Sequence, residues 1–333
     1  MKKAFTLIEL LMVVAIIGII STLAVSKLGG VREAAARKVS LANQKAVERA
    51  VEAYLTAHQQ EGVSRLDSLV YASQTDEPQS SGSIGKFNFS DTTLLYKGPT
   101  DDFSEEVLNK NSGLTPELLN ALCIYTLNTS DVNALRRLGF RYVTQFTASA
   151  YKAPGYAGYS SDTQNANADG TIPTADNGLD PLLSACLVRS VKEGMPVAAI
   201  TPCNNMGRLI YQACGIDLPI TNSVSRAGQN FMTERLYNYG DDEAKTAVDA
   251  AGGILLAFGL GDNATIIGKS DAGLDNAPYA TFVHNRYYSR YILLFRLKKI
   301  GSGSVAQVLA EFAGVIDCEG NTLRAAQHII KNS

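Results

Sequence analysis

Met1-Lys2-Lys3-Ala4-Phe5-Thr6-Leu7-Ile8-Glu9, followed by an apolar run from Leu10 to Val25, opens the chain. Two lysines precede a hydrophobic stretch of membrane length. From Phe5 to Val25 there are about 21 residues, enough to cross a ~30 Å hydrocarbon core as a helix rising 1.5 Å per residue. Lys2 and Lys3 hold the N-terminus on the cytoplasmic side by the positive-inside rule. Glu9 sits inside the stretch, with no opposite charge before Lys27. A charge there costs roughly 3 kcal/mol near a bilayer centre, so the carboxylate is a functional candidate that needs a partner. A secretory signal has a shorter apolar core and a small-residue cleavage site behind it. Here the core is longer, and Leu23-Ala24-Val25-Ser26 is only a weak site. A cleaved signal and a plain uncleaved anchor stay open as alternatives.

The order of basic leader, Phe5-Thr6-Leu7-Ile8-Glu9-Leu10-Leu11 and long apolar run resembles the processing site of type IV pilins and type II secretion pseudopilins. The resemblance implies that prepilin peptidase cuts between Ala4 and Phe5 on the cytoplasmic side. It also implies N-methylation of Phe5 and an assembly role for Glu9. A new ammonium on Phe5 of one subunit can pair with Glu9 of its neighbour in a low-dielectric helix bundle, which favours addition in register. Ala4 stands where the family usually has Gly, and no Pro marks the membrane exit. The implied partners are prepilin peptidase, other pilin or pseudopilin subunits, the assembly platform and the membrane. The implied location is the inner membrane, single-pass, with the body in the periplasm and then in a filament or pseudopilus.

Val31, Ala35, Val39, Ala42, Ala46, Ala50, Ala53 and Ala57 recur at steps of three and four, a helical period. Charged residues from Arg32 to Glu52 fill the other faces. We read residues 26–61 as an amphipathic helix that packs on its own body on one side and on filament neighbours on the other. Gly62 is its stop. The division is then a leader (1–4), a transmembrane half-helix (5–25), an amphipathic half-helix (26–61) and a globular body (62–333). The resemblance covers only the first ~60 residues; the body has to be read by itself.

Within the body, Thr115-Pro116-Glu117 predicts a helix to about Tyr125, and Thr129-Ser130-Asp131 another ending at Gly139. Further helices are expected at 181–192, 304–312 and 323–330. Strands are expected at 141–146, 197–200, 254–260, 265–267, 287–297 and 315–318. The class is α+β: a long N-terminal helix packed on a mixed, mainly antiparallel sheet.

The chemistry-bearing residues are few. Asn165, Asn167, Asp169, Thr171 and Asp176 follow much of a calcium-loop spacing, with Gly170 for the sharp turn. Asn at the first position and Asp at the last leave the ligand charge low, so an ion-free turn-rich loop competes with a calcium site; no other cofactor is implied. Five cysteines permit disulfides if the body faces an oxidising compartment. Cys203 with Cys214 is the most local pair and Cys186 with Cys318 a second, while Cys123 reads as a buried thiol. His58, His284 and His328 are too scattered for a zinc site. No G-x-S-x-G, H-E-x-x-H or phosphate loop occurs, and Gly252-Gly253 and Gly259-Leu260-Gly261 read as tight turns at strand ends. A net charge of −2 leaves no basic footprint for nucleic acid. The chain therefore reads as a structural subunit and not an enzyme. A minor or tip pilin with a ligand-binding or adhesive body, and a membrane-anchored periplasmic enzyme, are the alternatives.

Overall fold

A strand of six apolar or small residues, Ile254–Gly259, is buried along its whole length and organises the body. The computed structural model describes residues 35–58, 62–70, 87–88, 95–96, 114–146, 186–202, 204–218, 248, 252–270, 272–280, 288–301 and 307–325. Nine strands form one sheet. They are β1 (Leu66–Ser68), β2 (Phe87–Asn88), β3 (Leu122–Thr126), β4 (Tyr142–Phe146), β5 (Cys186–Ser190), β6 (Pro196–Ile200), β7 (Ile254–Gly259), β8 (Ile292–Ile300) and β9 (Gln307–Ile316). Residues 35–57 form helix α1. Helices α2 (Pro116–Ala121), α3 (Thr129–Arg137) and α4 (Asn205–Ala213) follow.

β7 is the hub. One edge pairs with β8 from Ile254↔Leu297 to Gly259↔Ile292, and β9 lies outside β8. The other edge is shared, with Leu256 opposite Ala199 of β6, and Phe258 and Gly259 opposite Ser68 and Asp67 of β1. From there the sheet runs through β6 to β3 and β2, and through β1 to β4 and β5. Among the described strands only the β1–β4 pair is parallel. The expected α+β class with a mainly antiparallel sheet is what the chain forms.

Local signals explain several elements. Asn128 and Asp131 form a capping box at the start of α3, Arg136 and Arg137 sit in its last turn, and Gly139 leaves it at φ 86°. Gly62 ends the α1 segment at φ 52°, its N–H bonded to His58 O. Phe140, Phe258, Phe295 and Phe312 form a ring cluster at centroid distances of 4.6 to 6.1 Å, which ties the segment after α3 to β7, β8 and β9.

Four expected elements are corrected. The helix opened by Thr115 stops at Ala121, because Leu122 is already extended (φ −107°, ψ 152°) and Leu122–Thr126 pairs with β6. The stretch expected as helix 181–192 contains β5, paired with β4. The stretch expected as helix 304–312 contains most of β9, which pairs with β8 through a bulge beside Gly314. Residues 265–267 form turns and not a strand. Helix α4 was not expected. Its N-cap Asn204 accepts from Gly207 N at 2.7 Å, and a side chain at Gly207 would strike Thr201 O.

Candidate functional site

Helix α1 is the described part of the segment that the N-terminal motif feeds into, and its two faces differ. Ser40, Gln44, Val47, Ala50, Val51 and Tyr54 are buried, at helical spacing. Ala35, Val39, Ala42, Ala46, Ala53 and Ala57 are exposed, Val39 by 50%. Most of the small-residue stripe read from the sequence thus faces away from the body. The residues that seat the helix are the ones between. α1 thus packs on its own body through a separate face.

Polar contacts fix the seat. The Tyr291 hydroxyl donates to the Ser40 carbonyl at 2.8 Å and lies 3.0 Å from the Ser40 hydroxyl. Burial pushes the Tyr291 phenol up to about 12, so it stays a donor at every physiological pH. Gln44 Nε2 donates to Val315 O at 2.9 Å and to Asn321 O at 3.1 Å. Among the described residues β9 has a partner strand only in β8, so these bonds cover part of an edge. Where α1 covers it, β9 is buried from Gly314 to Ile316, whereas residues 307–313 are exposed or half-buried. Gln44 is a polar residue in an apolar stripe, a signal that periodicity alone passes over.

A second polar cluster lies behind β7. Asp67, on β1, is buried and accepts from the Tyr288 hydroxyl at 2.8 Å. Arg290 is buried beside it, with its guanidinium on Asp262 at 2.5 Å, on Ala277 O, and 3.6 Å above the Tyr279 ring. Gly259 and Gly261 make room for the pair. A Cβ on Gly259 would meet the Tyr288 hydroxyl at 1.8 Å, and one on Gly261 the Asp67 carboxylate at 2.3 Å. The Gly-Leu-Gly run is therefore a steric seat for two buried polar groups as well as a strand end. Burial raises the Asp67 carboxyl to about 7, against the lowering effects of the Tyr288 bond and of Arg290.

The processing residues Ala4 and Phe5 and the assembly residue Glu9 lie outside the described residues. So do Asn165, Asn167, Asp169, Thr171 and Asp176 of the candidate calcium loop, and Cys203. Among the described residues no acidic, His or Cys cluster could hold a metal, and no helix is long and apolar enough to cross a membrane. No disulfide is seen among the described residues: Cys123 is a buried free thiol, as expected, and Cys214 and Cys318 are free as well. Cys214 closes α4, and its expected partner Cys203 lies outside the described residues. Cys318, which follows β9, is a free thiol and does not carry the expected bridge to Cys186.

With this geometry in view, the N-terminus has a known counterpart. Residues 1–25 match the prokaryotic N-terminal methylation motif. The chain thus begins with a prepilin-type segment of the kind found in type IV pilins and pseudopilins, a substrate of prepilin peptidase that anchors its precursor in the membrane. No curated protein and no solved structure matches the chain.

Proposed function

We propose that the chain is a structural, non-enzymatic subunit of a type IV pilus or a type II secretion pseudopilus. Prepilin peptidase cuts between Ala4 and Phe5, and Phe5 is methylated. The subunit waits in the inner membrane with its body in the periplasm. It then leaves the bilayer by packing its N-terminal helix against those of its neighbours. The observation that carries the reading is the pairing of the N-terminal motif with a two-faced α1. One face is bonded to the body, and the other presents Ala35, Val39, Ala42, Ala46, Ala53 and Ala57 outward. Small side chains let helix backbones approach closely, which suits a helix bundle. Glu9 would pair with the Phe5 ammonium of the next subunit, since an unpaired carboxylate in that environment is costly.

The mass of the mature N-terminus tests the reading. A chain starting at methylated Phe5 is expected. An intact Met1, or a cut near Ser26, overturns it. On the same footing, Glu9→Leu should leave the protein in the membrane and block its incorporation into filaments; normal incorporation would remove the assembly role.

A further inference from the structure

A cavity of about 720 Å³ opens where the end of α1, the 62–65 turn, the start of β4 and the 262–269 turns meet. Arg65, Arg141 and Lys269 line it, with Tyr142 and Asn263 between them. Arg141 and Tyr142 also line an adjoining cavity of about 350 Å³, together with Arg136. We propose that this cleft binds a small, multiply charged oxyanion: a molecule carrying two or more phosphate, sulfate or carboxylate groups. The inference stands independently of the assembly role.

Charge is the first argument. Among the described residues, the side chains of Arg65, Arg141 and Lys269 have neither an ion pair nor a hydrogen bond. Among the described residues, the one carboxylate on the wall, Asp262, is bonded to Arg290. The cleft therefore gathers positive charge in a chain whose net charge is −2. Guanidinium groups present N–H forks that match oxyanions in pairs, and concave walls strengthen the attraction.

Backbone strain is the second argument. Arg65 has φ 56° and is the only non-glycine among the described residues at positive φ. Glycine would hold that conformation without cost, so an arginine there is kept for its side chain. Its backbone is pinned. Arg65 N donates to Tyr142 O at 2.8 Å, and Thr144 Oγ1 donates to Arg65 O at 3.1 Å.

The floor is stiff in the same way. The Ser64 hydroxyl accepts from Arg141 N at 3.1 Å and from Tyr142 N at 2.9 Å, and donates to Tyr142 O. The Thr265 hydroxyl accepts from Ser64 N at 2.8 Å. Ser64 and Thr265 are thus occupied in holding the wall, and the cations are carried on backbone that the wall fixes. The volume lies within the range of small-molecule sites.

Calorimetric titration of the full-length mature protein, in neutral detergent at low salt, tests the proposal. The probes are pyrophosphate, citrate and, as an uncharged control, maltose. Saturable binding of pyrophosphate or citrate and none of maltose is expected, and the tighter of the two separates phosphate from carboxylate ligands. Arg65→Gly and Arg141→Gln should each weaken it about tenfold or more, the loss of a charge-assisted contact. Arg65→Gly should also melt no lower than the parent, because glycine relieves the strain. No saturation by either anion below roughly 10 mM, or unchanged affinity in both variants, overturns the cleft as an anion site.

Discussion

Asp67 shows how one residue sets a property of the whole body. Its carboxyl is raised to about 7 by burial, above the ordinary Asp value of 3.8. A folded form that keeps its proton longer than the unfolded chain gains stability at low pH and loses it as pH rises. The contribution is complete below about pH 4 and is lost as pH climbs through about 7. Its size is on the order of 4 kcal/mol at most for a shift of this kind. Glu48, Asp317 and Glu319 are also raised, mainly by burial, and act with the same sign. Asp67→Asn keeps an oxygen for the Tyr288 hydroxyl and removes the charge. Urea midpoints measured from pH 4 to pH 8 should fall less steeply in Asp67→Asn than in the parent. Parallel pH profiles would show that Asp67 does not titrate in this window. The sequence pointed to this cluster only through Gly259-Leu260-Gly261. The glycines were legible as a turn, but the groups they make room for come from β1 and from Tyr288, far away in the chain.

Among the elements, the seat of α1 on β9 decides how the N-terminal segment is presented. Gln44 is the residue that both elements depend on, since its amide satisfies two carbonyls, Val315 O and Asn321 O. Gln44→Leu keeps the apolar contacts and strands those acceptors, at a cost of about 1–3 kcal/mol. Denaturant unfolding should register that loss; a change inside experimental error would mean that water replaces the amide freely. The starts near Thr115 and Thr129 and the stops at Gly62 and Gly139 were readable because caps are local and act on backbone within one turn of themselves. β9 was not readable. Val305, Val308, Leu309 and Phe312 recur at helical spacing, and what makes the segment a strand is the open edge of β8 beside it. The same holds for β3 and β5, whose pairing partners override a helical local pattern.

For the molecule as a whole, the division of α1 into a bonded face and an outward face predicts separable defects. Ala46 is exposed and lies outside the buried face of α1. Ala46→Glu should therefore change the unfolding free energy by no more than ~0.5 kcal/mol while reducing incorporation into filaments. A pull-down of cross-linked filaments against a thermal melt separates the two. Loss of stability in step with loss of incorporation would mean that the outward face belongs to the body after all. The N-terminal reading came from a local motif and so needed no structure. The body's architecture came from pairings across the whole chain, which no single stretch encodes.

The seat has one more consequence, in time and not in space. Ser40 and Tyr291 are 251 residues apart, Gln44 and Val315 271, and Gln44 and Asn321 277. A chain made from its N-terminus emits the membrane-length segment first and the strands that hold α1 last. Until Tyr291, Val315 and Asn321 have been made, Ser40 and Gln44 lack these partners, and pairings this distant are slow to form. A chain interrupted before Asn321 lacks one of the two carbonyls that hold Gln44. A helix fixed by all of these bonds therefore reports that synthesis has passed Asn321.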